Sequence, residues 1–212
     1  MQKFLIIQTA FIGDVVLSTA LIEKLHVHYP DAQIDFLVRK GNENLLANNP
    51  HLHAVLIWDK KNGKYKSLFR LLKTLRNNKY ERVINVQRYF ATGLLTAFSG
   101  AKYKIGFDSN PLSFLFTQKI KHELNTTSKR HEVERNNDLI ASFTDEKIIK
   151  PRVYPSTLDV SKIKEYTEKP FVTISPTSVW FTKEFPKEKW IEFINKIDPN
   201  YNIYLLGGPD NK

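Results

Sequence analysis

An α/β chain carrying a doubly wound, Rossmann-like parallel sheet is what this sequence predicts, on three observations. Short continuous apolar runs alternate with leucine stripes at helical spacing over the first 108 residues. The runs are apolar on both faces, as buried parallel strands require. The same alternation restarts at residue 171, after a stretch punctuated by Pro151, Pro155 and Pro170, which predicts a second sheet behind a connection.

The elements follow in order. Residues 4–8 open with FLII, a strand signal, and a turn containing Gly13 leads to Leu17, Leu21 and Leu25, a helical stripe that Pro30 terminates. Residues 32–38 (AQIDFLV) repeat the strand signal, 43–48 suit a short helix, and 53–58 (HAVLIW) a third strand. Leu68, Leu71, Leu72 and Leu75 stand at i, i+3, i+4 and i+7, predicting a helix over 65–76. A fourth strand is expected at 82–86, a small helix at 91–98 and a fifth strand at 103–107. Beyond 108 the pattern loosens into a polar stretch with one helix at 131–143. The second sheet starts with a strand at 171–175 (FVTIS), a helix bearing Trp190, Phe193, Ile194 and Ile197, and a strand at 202–206. The expected division is therefore 1–150, a linker over 151–170, and 171–212 as the opening of a second domain. Two strands and one helix bury no core of their own, so that domain is expected to be incomplete and the chain to continue past the glycines at 207 and 208.

Composition narrows the class. With 42% hydrophobic and 25% charged residues the 212-residue chain is ordinary for a folded protein. It has no cysteine, which excludes disulfides, thiolate nucleophiles and cysteine-bound zinc and leaves the cytoplasm as the expected compartment. The four-residue apolar run near the start is too short for a signal-peptide core. The net charge of +10 is regional: lysine and arginine outnumber aspartate and glutamate 23 to 14 over residues 1–150, but only 9 to 8 thereafter. A nucleic acid, an anionic membrane surface or a phosphorylated substrate would each suit this, as would a solvated surface that merely favours lysine.

Two loops gather chemistry. Thr9-Ala10-Phe11-Ile12-Gly13-Asp14 places a glycine, expected to permit a tight turn, and a carboxylate where the sheet's carboxyl edge meets a helix N-terminus, the edge along which doubly wound sheets bind ligands. Asp14 equally suits a residue that complements the helix dipole. A single glycine makes no GxGxxG, and the P-loop lysine is missing. In the second loop, residues 175–186 (SPTSVWFTKEFP), hydroxyls and Lys183 precede a helix, which suits a phosphate or a merely solvated lysine; Trp180 and Phe181 read as packing residues. The six histidines show no paired metal spacing, since His26 and His28 fall on different faces of their helix. HEVERN at 131–136 reads most simply as a capped, solvated turn.

Taken together, IGDVVLSTALIEKLHVHYPDAQIDFLV at 12–38, INVQRYFATGLLTAFSGAKYKIGFD at 84–108, HEVERN, and the run from SPTSVWFTKEFPKEKW to LLGGPD over 175–210 resemble glycosyltransferase family 9. The family includes the ADP-heptose:lipopolysaccharide heptosyltransferases, and the resemblance covers nearly the whole chain with its elements in family order. It implies the two-domain GT-B architecture, with an N-terminal acceptor domain and a C-terminal nucleotide-sugar domain. It further implies Asp14 as general base of an inverting transfer, with Gly13 in the acceptor-side loop. Lys183, three residues before Pro186, takes the place of a donor-phosphate ligand; Thr177 and Ser178 lie in the hydroxyl-bearing stretch, and Asp210 near an acidic position that holds the nucleoside. Ala10 and Phe11 stand where members often carry serine or threonine, so acceptor contacts from these two positions lose their support. The expected partners are a nucleotide-sugar, such as ADP-heptose, and an anionic lipopolysaccharide-type acceptor met at the inner membrane surface. No cofactor, metal or nucleic acid is expected. A binding-only homologue lacking most of the donor site is the competing expectation.

Overall fold

The apolar run after Lys3 becomes an inner strand whose alternation feeds two cores. In β1 (Lys3–Ile7), Phe4 and Ile6 join one buried cluster and Leu5 and Ile7 the other, as the two-residue period of a strand dictates. These features come from a computed structural model that describes residues 2–60, 64–123, 130–178 and 181–208. The chain divides into two compact units, Met1–Tyr154 and Pro155–Lys212.

The first unit continues with α1 (Ile12–His28), β2 (Gln33–Arg39), β3 (Ala54–Trp58), α2 (Lys64–Asn78), β4 (Arg82–Asn85), α3 (Phe90–Phe98), β5 (Tyr103–Phe107), β6 (Gln118–Ile120) and α4 (Glu132–Ala141). The six strands are all parallel in the order β3-β2-β1-β4-β5-β6. Val15, Leu21, Ile22 and Leu25 of α1 and Leu139 and Ile140 of α4 cover one face. Leu68, Leu71 and Leu75 of α2 and Leu95 of α3 cover the other. Each such side chain, fully buried, contributes roughly 1.5–3 kcal/mol. Helices on both faces make the sheet doubly wound, as the sequence predicts.

Several local expectations are corrected. Residues 43–48 form only a 3-10 turn at Glu43–Leu45. The sixth strand was not foreseen, because QKI is short and polar: it pairs with β5 alone, at the sheet edge. Gly13 lies in the first turn of α1 without a positive φ, and a Cβ there would meet nothing within 4 Å, so the turn does not depend on it. HEVERN is capped as expected, with the His131 N–H donating to Glu134 Oε2 at 2.6 Å, but Val133, Asn136 and Asn137 are buried, so it is not a solvated turn.

One buried charge braces this unit. Lys24 of α1 is 1% exposed. Its ammonium donates to Asn137 Oδ1 at 2.7 Å and to the Lys147 carbonyl at 2.8 Å, and lies 2.8 Å from Asp145 Oδ1. Further along, the Arg152 N–H donates to Thr19 Oγ1 at 2.9 Å and the Tyr154 hydroxyl donates to the Glu23 carboxylate at 3.0 Å. Residues 145–154 are thereby strapped along α1.

The second unit contains α5 (Thr157–Ile163), β7 (Phe171–Ile174), α6 (Lys187–Asn195) and β8 (Asn202–Leu205). Its two strands are parallel, with Phe171 opposite Asn202 and Ile174 opposite Leu205. The stretch expected as a linker thus splits: 151–154 belongs to the first unit, while α5, capped by Ser156 accepting from the Asp159 N–H at 3.0 Å, belongs to the second. Among the described residues of this unit Ile174 alone is buried. No helix among the described residues is long and apolar enough to cross a membrane.

Candidate functional site

Strand order locates the site. β1 and β4 are neighbours, yet the chain leaves β1 toward β2 on one side and β4 toward β5 on the other. Their carboxyl ends therefore part to open a crevice at the topological switch point. A cavity of about 520 Å³ lies there, walled by Gln8–Phe11 after β1, Val86–Tyr89 after β4, and by Asp14 and Leu17 of α1, Arg39, Lys60, His122 and Glu132.

Asp14 is at its rim. As the third residue of α1 it turns one oxygen back, so that Oδ2 accepts from the Phe11 N–H at 3.2 Å. Oδ1 has no hydrogen-bond partner among the described residues. The carboxylate therefore closes the first helical turn and also lines the cavity. Gly13 beside it is exposed and leaves the approach unobstructed.

Cations line the same cavity. Arg39, at the end of β2, lies over the Phe11 ring at 4.7 Å, and Lys60 lies over the Trp58 ring at 4.7 Å. Lys60 also donates to the Thr9 carbonyl at 3.0 Å and to Thr9 Oγ1 at 2.9 Å. Arg88 lines the same cavity from an exposed position. His122 and Glu132 complete the wall. The His122 ring stacks on Phe107 at 4.0 Å and shares a 2.8 Å hydrogen bond between Nδ1 and Ser109 Oγ. Burial holds its pKa below 6.5, against the opposing pull of Glu132. Sequence reasoning named Thr9 only as part of the Asp14 loop and assigned no site role to Arg39, Lys60, Gln87, Arg88, His122 and Glu132, because only the fold brings these separate segments to one edge. The signal available for Glu132 was its place at the start of a helix.

The second loop behaves differently. Thr177 lines a separate cavity of about 660 Å³ in the second unit, walled mainly by Ile174, Pro176, Phe185, Trp190 and Ile194. The Ser178 N–H donates to Glu184 Oε1 at 3.3 Å, bracing the loop. Lys183 ends a 3-10 turn at Phe181–Lys183 and is exposed; it is not among the residues lining that cavity. Of the loop's expected hydroxyls and lysine, Thr177 alone lines that cavity, whose wall is mainly apolar with Glu184 and Lys187 beside it. Trp180 and Asp210 lie outside the described residues. Asp14 belongs to the first unit and Thr177, Ser178 and Lys183 to the second. The two helix histidines do part as expected: His26 stacks on His51 at 3.8 Å, and His28 lies 3.2 Å from Asp145.

Known proteins resemble this chain in sequence and in fold. Lipopolysaccharide heptosyltransferase 3 of Escherichia coli is 28% identical over 211 residues, covering 94% of this chain and 62% of its own length. The crystal structure of a family 9 glycosyl transferase from Veillonella parvula superposes with a TM-score of 0.83 at 18% identity, covering 99% of this chain and 64% of that one. The E. coli ADP-heptose lipopolysaccharide heptosyltransferase II structure gives 0.79 at 21% identity, covering 99% and 66%. The chain therefore has their fold and spans about 62% of the length of the curated relative. A switch-point crevice holding Asp14, the strand order around it, and a match of residues 68–212 to the model of glycosyltransferase family 9 (heptosyltransferase) agree, and the chain belongs to that family.

Proposed function

We propose that this chain is part of a GT-B, inverting heptosyltransferase that moves heptose from ADP-heptose to a lipopolysaccharide core acceptor. The observation that carries the reading is the Asp14 carboxylate, held at the switch-point crevice with one oxygen uncommitted, with Arg39, Lys60 and Arg88 lining the same cavity. An acceptor-only group suits removal of the proton from an attacking hydroxyl. The hydroxyl oxygen bonds to the anomeric carbon as the bond to the diphosphate breaks, the electron pair leaves on ADP, and the proton passes to Asp14. The cations favour an acceptor bearing phosphate or carboxylate. Lys183, with Thr177 and Ser178 nearby in the chain, is assigned to the diphosphate and Asp210 to the nucleoside. Neutralisation by lysine and backbone N–H groups gives the leaving group its stabilisation without a resident cofactor. The basic excess of residues 1–150 suits peripheral contact with an anionic inner-membrane surface from the cytoplasmic side.

The test is a transfer assay on the full-length protein that contains this chain, with ADP-heptose and lipopolysaccharide core oligosaccharide, reading ADP release and the mass of the product. A heptose adduct with inverted anomeric configuration is expected. Absence of product, with both substrates present and the protein folded, would refute the reading.

A further inference from the structure

We propose that Gln87 binds the acceptor: its side-chain amide donates to the oxygen of the attacking hydroxyl while the hydrogen of that hydroxyl faces Asp14. The inference rests on the proposed role of the crevice and adds a residue to it. It follows from the direction of three hydrogen bonds. An ammonium only donates, so Lys60 donates to Thr9 Oγ1 at 2.9 Å. Thr9 has one hydroxyl hydrogen, and it goes to Gln87 Oε1 at 2.7 Å. Thr9 is 1% and Gln87 5% exposed, leaving water little access to compete. The amide is thereby fixed with its oxygen toward Thr9 and the two N–H donors of Nε2 directed away. Among the described residues those donors have no partner, and Gln87 lines the cavity that holds Asp14. Nε2 is not sealed from solvent, so its donors are open to a ligand in the cavity.

The support under the amide is rigid. The Gln87 N–H donates to Asn85 Oδ1 at 2.9 Å, and its carbonyl accepts from Asn110 Nδ2 at 3.0 Å. Asn110 in turn occupies the space beside Gly93 where a Cβ would collide with it. A neutral hydroxyl needs a donor for its oxygen and an acceptor for its hydrogen, and Gln87 and Asp14 supply one each. The guanidinium groups of Arg39 and Arg88 suit anionic substituents instead. This also supplies an acceptor contact in place of those lost at Ala10 and Phe11.

The experiment compares Gln87→Glu, Gln87→Leu, Thr9→Val and Thr9→Ser in the full-length protein that contains this chain, with ADP-heptose and core oligosaccharide. Both Gln87 variants lack the donors, and the pair separates loss of N–H from gain of charge. The expected result is a rise in acceptor KM of about tenfold in both, the upper range for one neutral hydrogen bond, with donor KM within about twofold. Thr9→Val, which frees the amide to flip, gives a smaller rise, and Thr9→Ser restores the acceptor KM. Acceptor KM unchanged in either Gln87 variant, or donor KM rising in step, overturns the proposal. Calorimetric titration with the oligosaccharide alone keeps the two readings apart. Wild-type protein that binds it without transferring heptose removes the proposed function, and Gln87 is then judged by the Kd of Gln87→Leu, weakened binding supporting the proposal and an unchanged Kd overturning it. Wild-type protein that does not bind it overturns the proposal.

Discussion

Replacing Asp14 separates a structural from a chemical contribution, because the residue makes both. Its Oδ2 accepts the Phe11 N–H at 3.2 Å, a cap worth about 1 kcal/mol, which in a chain of this size moves a melting midpoint by roughly 2–4 °C. Its other oxygen is the proposed base, worth roughly a hundredfold to ten-thousandfold in rate. In Asp14→Asn the side-chain oxygen still accepts from Phe11 but the amide takes no proton. That variant is therefore expected to melt near the wild type and to transfer heptose at least about a hundredfold more slowly. Asp14→Ala is expected to lose the same activity and the 2–4 °C as well, roughly. The cap cannot mimic the chemical loss: a domain with about 5–15 kcal/mol of stability stays folded after losing about one. Initial rates of ADP release and thermal unfolding of the same preparations give the comparison. Asp14→Asn retaining more than about a tenth of the wild-type rate, well above the range for a lost general base, would refute the assignment.

Three further outcomes are expected. Lys24→Ala leaves the Asn137 amide oxygen and the carbonyls of residues 145 and 147 without their donor around a cavity, and should cost the first unit about 2–5 kcal/mol in urea unfolding; Lys24→Met, which refills the space, should cost less. Burial holds both His51 and His122 below 6.5 in the folded state, so the unfolded chain takes up protons first as pH falls. Stability should therefore decline from about pH 6.5 downward until the folded pKa values are passed, and His51→Gln with His122→Gln should flatten that slope. Lys183→Ala should raise the KM for ADP-heptose about tenfold, the order of one charge-assisted hydrogen bond, leaving the acceptor KM unchanged.

The fold was legible wherever burial writes a period into the chain. β1, α1 and α2 were read from Phe4–Ile7, from Leu21 and Leu25, and from Leu68, Leu71 and Leu75, all of them core residues. The edge strand β6 and helix α5 left no such trace, because one pairs on a single side and the other buries no residue; the Ser156–Asp159 capping box was the overlooked signal for α5. At the site, Asp14 was legible because it stands where a strand turns into a helix. Gln87 was not, since its meaning comes from Thr9, 78 residues earlier in the chain. Lys24 carries no mark of burial in the sequence, and only the carbonyls of residues 145 and 147, over 120 positions away, make its burial intelligible.

The strap along α1 fixes where this polypeptide can be divided. The prolines at 151 and 155 invite a cut between residues 144 and 151, yet a fragment ending at 144 would leave the Lys24 ammonium without Asp145 and the Lys147 carbonyl. One ending at 151 would strip Thr19 and Glu23 of Arg152 and Tyr154. The smallest excisable first unit therefore runs through Tyr154, and its border is drawn by a buried ammonium and a tyrosine hydroxyl rather than by the ends of its sheet.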